Sequence, residues 1–148
     1  MHPLVTNITI NQVKWNEFEQ LLREVRTPVF IEEQHIEPDF EWDELDLNAV
    51  HLLAIFDNQP VGCLRIISYQ KIGRMAVLKP WRGLGIGSAL LTQAIEICRQ
   101  HSSQSIFLSA QTHAIVFYIK AGFKAISQEY TDVNIAHVDM QLILNEQL

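Results

Sequence analysis

Met75-Ala76-Val77-Leu78-Lys79-Pro80-Trp81-Arg82-Gly83-Leu84-Gly85-Ile86-Gly87-Ser88-Ala89-Leu90-Leu91 is the stretch on which the reading of the fold turns. It opens as a short apolar run, breaks at Lys79-Pro80 and passes through glycines at 83, 85 and 87. It then enters a segment whose apolar residues Ile86, Leu90, Leu91, Ala94, Ile95 and Cys98 recur at helical spacing. The order is strand, glycine-rich turn, amphipathic helix. Glycine lets main chain approach a ligand closely, a helix start exposes N–H groups carrying partial positive charge, and Arg82 adds a formal one. The segment therefore predicts a cradle for a phosphate or diphosphate. Neither G-x-x-x-x-G-K-[ST] nor G-x-G-x-x-G occurs, so the nucleotidase loop and the dinucleotide fingerprint are excluded.

Working outward, residues 72–78 read as the strand entering the loop, and 50–56 and 61–69 as a hairpin closed by Asp57-Asn58-Gln59-Pro60. Upstream, residues 4–13 alternate weakly as a first strand. Asn16 then stands where it can cap a helix carrying Phe18, Leu21, Leu22 and Val25. Pro28 interrupts that helix, residues 29–34 form a second short helical piece, and the acidic segment through Pro38, Phe40 and Trp42 reads as a loop. Downstream come a buried strand at 105–110, a short helix at 114–120 stopped by Ala121-Gly122, and strands at 123–130 and 135–143. The result is one α/β domain over residues 1–148, with a central mixed, mostly antiparallel sheet and helices on both faces.

Charge narrows the function. The net charge of −6 argues against nucleic acid as the main partner. Its distribution is uneven: residues 32–46 hold eight acidic side chains and no Lys or Arg, while 58–95 hold five basic side chains and no Asp or Glu. One segment suits a cation and the other an anion. The acidic run either attracts a cationic acceptor or is simply a solvated loop. Cys63 and Cys98 lie apart in apolar stretches without metal-ligand spacing and read as buried free thiols, so no metal site is expected. No secretory leader or membrane-spanning run is evident, which predicts a cytoplasmic protein with no membrane partner.

Arg82-x-x-Gly85-x-Gly87 after the strand Met75-Ala76-Val77 resembles the acetyl-coenzyme A signature of the GNAT superfamily of N-acetyltransferases. Ala110-Gln111-x-x-Ala114-x-x-Phe117-Tyr118-x-x-x-Gly122-Phe123 resembles the second half of that fold. With Val29-Phe30-x-x-Glu33-Gln34 and the acidic segment, the chain looks most similar to a small bacterial ElaA-like and YjcF-like subgroup. The resemblance implies a V-shaped opening between the fourth and fifth strands, into which the pantetheine arm of acetyl-CoA lies like an added strand. Ala76 and Val77 would then meet the arm and the thioester carbonyl, and Arg82, Gly83, Leu84, Gly85, Ile86, Gly87 and Ser88 the diphosphate. Lys79 stands where the family commonly has proline. The implied activity is direct acetyl transfer in a ternary complex to a primary amine of a small molecule or peptide. A homodimer is left open, and the rival reading is a non-catalytic acyl-CoA-binding or sensing domain.

Such a transfer needs a base for the ammonium and an acid for the leaving thiolate. The resemblance makes Tyr118 the acid, since a phenol stays protonated at neutral pH. Glu33, at the end of the second helical piece, is the leading candidate for the base. His51 and His137 are the other candidates, for the base or for substrate contact; His137 matches a Pro-His motif of the subgroup, although Ala136 replaces the proline. Arg65 either binds an acidic group of the acceptor or is an ordinary exposed sheet arginine.

Overall fold

The computed structural model describes residues 7–144. The element order is β1 (Ile8–Val13), α1 (Trp15–Arg26), a π-helical segment (Thr27–Glu33), α2 (Pro38–Glu41), a 3₁₀ turn (Glu44–Asn48), β2 (Val50–Phe56), β3 (Gln59–Ile67) and β4 (Lys71–Val77). It continues with α3 (Ile86–Gln100), β5 (Ser105–Gln111), α4 (Ile115–Lys120), β6 (Lys124–Ala125), β7 (Tyr130–Asp132) and β8 (Ile135–Ile143). The strands join in one sheet of order β1-β2-β3-β4-β5-β8-β6, with β7 also on β8. Every pairing is antiparallel except β4 with β5.

Alternation along the strands decides what each face meets. Leu52, Ala54, Leu64 and Ile66 pack with Leu90, Leu91 and Ala94 of α3 on one face. Leu53, Cys63 and Ala76 pack with Leu22 and Val25 of α1 on the other. Leu22 and Leu90 are fully buried, and truncating either to alanine costs about 2–5 kcal/mol. Helices thus cover both faces of the β1–β4 half. In the other half one face is packed on the α3 side, and the other is covered only toward Ile135, which packs with the Val29 and Phe30 cluster. Ile106, Leu108, Val138 and Met140 point into the α3 side, and their alternates look outward, with Phe107 39% and Ile143 52% exposed.

Several boundaries differ from the sequence reading. The first strand is described from Ile8, and residues 4–6 of the expected run lie outside the described residues. The first helix starts at Trp15, with no side-chain cap from Asn16. Pro28 does not stop it. Proline sits in the opening turn of the π-helical segment, where its missing N–H removes no helical bond. The wider turn is visible in Gln34 N donating to Val29 O at 3.1 Å. The acidic segment is partly helical rather than a loop, with the Asp43 carboxylate accepting from Leu45 N at 3.1 Å to start its 3₁₀ turn. The strand expected at 123–130 is two short pieces, β6 and β7. Among the described residues, no helix is long and apolar enough to cross a membrane.

Candidate active site

Strands β4 and β5 pair only at Lys71↔Phe107 and Ile72↔Leu108. Beyond Ile72 each strand follows its other neighbour. Ala76 and Val77 stay opposite Cys63 and Gly62 of β3, while β5 runs with β8 as far as Gln111↔His137. A wedge-shaped gap opens between them. A bulge shapes its β4 side: Arg65 pairs with Gly73 but Cys63 with Ala76, so β4 carries one extra residue, and Arg74 takes up the bend at φ 48. Leu78 N donates to Val61 O at 2.9 Å. In an antiparallel ladder the residue between bonded pairs turns its own N–H and C=O the other way, so Val77 aims its main chain into the gap. Its carbonyl accepts from Arg82 Nε at 2.9 Å. The side chain of Ala76 is buried toward α1.

At the wide end of the gap lies the glycine turn. Gly83 and Gly85 adopt φ values of 79° and 88°, a region that costs other residues about 1–2 kcal/mol. Gly85 precedes α3 without a side-chain cap, and no acidic residue occupies the first turn. The N–H groups of Ile86, Gly87 and Ser88 therefore have no acceptor within the helix and keep their anion-binding capacity. A Cβ on Gly87 would stand 3.7 Å from the ring of Phe117 and 3.9 Å from Val77. The helix start, the end of β4 and, through Phe117, α4 meet at that glycine, and Tyr118 follows Phe117 on α4.

Tyr118 is 8% exposed, and burial pushes its phenol up to about 12. Among the described residues its hydroxyl makes no protein hydrogen bond, yet it is not one of the sealed, unpartnered polar atoms. It remains protonated and free to donate. The thiols are inert by comparison: both are buried, which pushes Cys63 up to about 12 and Cys98 to about 11.

Glu33 and Arg82 lie in one ion pair. Two guanidinium nitrogens of Arg82 donate to the two carboxylate oxygens of Glu33, each at 2.8 Å. That hydrogen bonding lowers the Glu33 pKa. The expectation that Glu33 is the base therefore meets an obstacle, because both of its oxygens are engaged and its basicity is reduced. In this arrangement it orients Arg82.

His51 and Arg65 are not at an acceptor surface. They are cross-strand neighbours on the α1 face, 1% and 4% exposed, inside a buried ionic network. Arg26 donates to Glu41 at 2.8 Å and Asp46 at 2.7 Å, and Arg65 to Asp43 at 2.8 Å and Asp46 at 3.1 Å. Arg74 reaches Asp43 at 3.2 Å, and His51 Nε2 lies 2.8 Å from Asp46 O. Burial opposes the charge of Asp46, but the hydrogen bond and charge of Arg26, then Arg65, outweigh it and hold the carboxyl below its ordinary range. Burial lowers the pKa of His51, so it is neutral at pH 7. Arg65 is neither an acceptor contact nor an exposed arginine, and three residues of the acidic run, Glu41, Asp43 and Asp46, are structural rather than solvated.

His137 sits elsewhere, on β8 at the open face. Its Nδ1–H donates to Ile135 O at 2.7 Å and its ring stacks on Tyr130 with centroids 6.0 Å apart. Beside it the amide of Gln111 donates to Gln34 Oε1 at 2.8 Å, bridging the π-helical side to β5. Sequence reasoning assigned no role to Gln34, Gln111, Ser109, Tyr130 or Asp139, which line this side. The only available signal was that 109, 111, 137 and 139 interrupt apolar strands with polar side chains at period two. A separate depression of about 620 Å³ along α1, lined by Glu19, Arg23 and Glu32 among others, holds none of the gap residues.

The family described as "Acetyltransferase (GNAT) domain" matches residues 22–144. The uncharacterized N-acetyltransferase YjcF of Bacillus subtilis is 32% identical over 78% of this chain and 86% of its own. An acyl-CoA N-acyltransferase from Pseudomonas aeruginosa superposes with a TM-score of 0.79 at 31% identity, over 91% of this chain and 97% of its own. Escherichia coli ElaA does so with a TM-score of 0.81 at 26% identity, over 91% and 99%. A family match over most of the chain, on a sheet parted beside a glycine-led helix, leads to one conclusion: the chain belongs to the GNAT acetyltransferase family.

Proposed function

We propose that this protein is a cytoplasmic enzyme that transfers the acetyl group of acetyl-CoA directly to a primary amine of a small molecule or peptide, in a ternary complex. The observation that carries this is the parting of β4 from β5 after Ile72↔Leu108, directly beside the uncapped start of α3. A strand edge left unpaired offers main-chain groups to an extended ligand arm. Ala76 and Val77 supply that edge, and the Val77 N–H serves as the donor aimed at the thioester oxygen, where negative charge grows during transfer. Arg82, with the main chain from Gly83 through Ser88, holds the diphosphate. Tyr118, protonated and unpartnered, gives its proton to the departing thiolate. The names of the relatives support acyl-CoA chemistry, and the family description and the N-acetyltransferase name of YjcF support the acetyl group and the amine.

Calorimetry with acetyl-CoA, paired with thiol release over a panel of primary amines, tests the reading. Binding with amine-dependent thiol release is expected. Binding without such release would make the protein an acyl-CoA sensor, and stabilisation by ATP or NAD in place of acetyl-CoA would overturn the donor assignment.

A further inference from the structure

On the open face of the sheet, three side chains form a continuous hydrogen-bonded chain. The Tyr130 hydroxyl donates to Asp139 Oδ1 at 2.5 Å, and Ser109 Oγ is hydrogen-bonded to the same hydroxyl. Since the phenol's one proton goes to Asp139, Ser109 is the donor in the second bond. Ser109 and Asp139 face each other across β5 and β8. Tyr130 reaches them from β7 by lying over β8, its ring against His137. The main chain of Asp139 is fixed too, its N–H donating to Ser127 Oγ at 2.9 Å.

The position of the chain in the fold gives it meaning. Ile72↔Leu108 is the last pair before β4 and β5 part, so Ser109 is the first β5 residue at the apex of the gap. Leu108 and Ala110 point into the α3 side, so Ser109 points to the opposite face. Gln111, one step further on the same face, is bonded to Gln34. Ser109 itself is exposed on this face, and across the gap a Cβ on Gly73 would meet nothing within 4 Å. An acceptor arriving from this face meets Ser109 first. Meanwhile Glu33 is held by Arg82, and His51 is buried in the ionic network. On the open face, the groups left to receive the proton of the incoming ammonium are this chain and the adjoining His137, whose Nδ1–H is held by Ile135 O.

We infer that Ser109, Tyr130 and Asp139 form the relay that collects the acceptor's proton, with Asp139 as its terminal base and an alkylammonium as the class of acceptor it receives. This rests on the acetyl-transfer reading above. The ammonium gives one proton to Ser109 Oγ, whose own proton passes to Tyr130, whose proton passes to Asp139 Oδ1. The resulting neutral amine forms the C–N bond as the C–S bond breaks. Of the ammonium's three protons, one reaches Asp139 and then solvent. One restores Tyr118 after Tyr118 has protonated the thiolate, and one stays on the amide. Hydrogen bonds in a chain polarise one another, which favours concerted transfer along it. Burial, and next the hydrogen bond to Asp139, raise the Tyr130 pKa, so it conducts as a neutral phenol. The other titratable groups around the chain are His137, against the Tyr130 ring, and Asp132 of β7, whose charge adds to that of Asp139.

The test compares wild type with Asp139→Asn, Tyr130→Phe and Ser109→Ala, using acetyl-CoA and a primary alkylamine across pH 6.5 to ~10, near the pKa of an alkylammonium. Each variant is expected to bind acetyl-CoA with wild-type affinity by calorimetry. At neutral pH each should turn over at least about tenfold more slowly. Each should recover most of that loss toward the upper end of the range, where the free amine needs no base. A rate loss equal at every pH, or no loss at pH 7, would overturn the relay while leaving acetyl transfer intact. If wild type shows no amine-dependent thiol release, the function reading itself fails and the relay with it. Tyr130→Phe keeps the ring on His137, so its result stands even if Asp139→Asn fails to fold.

Discussion

Glu33 and Arg82, 49 residues apart, face each other as a two-pronged ion pair with both contacts at 2.8 Å, while Arg82 Nε is committed to the carbonyl of Val77. The arginine expected to meet a diphosphate is therefore already neutralised. An arriving anion competes with Glu33 for it.

Replacing Glu33 with glutamine removes the competing charge. Exposed ion pairs are worth about 0.2–1 kcal/mol, so Glu33→Gln is expected to tighten coenzyme A binding by about 1.5- to 5-fold, measured by calorimetry, with little change in kcat. If kcat instead fell by about 10²-fold at unchanged affinity, Glu33 would regain the role of base.

Gly87 separates close approach from folding. A methyl there makes only ordinary contacts, at 3.7 Å or more, and alanine favours a helix over glycine by about 1 kcal/mol. Gly87→Ala should unfold at the same or a higher temperature yet bind coenzyme A more weakly. Undiminished affinity would show that the diphosphate does not rest on this turn.

Tyr118→Phe should leave stability nearly unchanged, because among the described residues the hydroxyl bonds to no protein group. Turnover should fall by about 10²-fold with acetyl-CoA affinity kept. With its pKa at about 12, Tyr118 should add no ionisation to the kcat profile below pH ~10. Comparable kcat in the two proteins would take the acid role from Tyr118.

The buried network sets acid stability. Removing Arg26 by Arg26→Ala leaves Glu41 with Arg74 alone and Asp46 with Arg65 alone, and breaking a buried pair costs up to about 3–5 kcal/mol; urea titration reads the loss. The folded pKa of Asp46 lies below its ordinary 3.8. Its stabilisation is thus fully present above that value and disappears as pH falls through the folded pKa. Asp46→Asn should flatten the fall in stability as pH drops below the ordinary 3.8 of an aspartate, and an acid limb as steep as wild type would contradict the pairing.

Most strands and the glycine turn were legible because their signals are local: period-two apolar runs, Asp57-Asn58 at a hairpin, glycines at positive φ. The π-helical continuation was not, since a proline reads as a stop unless one knows that its turn is an opening one. The network was illegible for a different reason. Arg26 and Glu41 are 15 residues apart and Arg74 and Asp43 31, and a charged side chain reveals burial only when its partner is placed. Tyr130 was similarly hidden, its partners lying on β5 and β8. The parting of β4 and β5 was expected only through the family resemblance, because no local pattern encodes two strands that separate.

The two sides of the gap are made of different material. Toward the donor, the glycine turn and the edge of β4 act largely through peptide groups, which many sequences reproduce so long as the conformation survives. Toward the acceptor, β5, β7 and β8 present side chains on an uncovered surface. On the acetyl-transfer reading proposed above, mutation can redirect which amine is chosen without loosening the grip on the thioester, so one carrier site can serve unrelated acceptors.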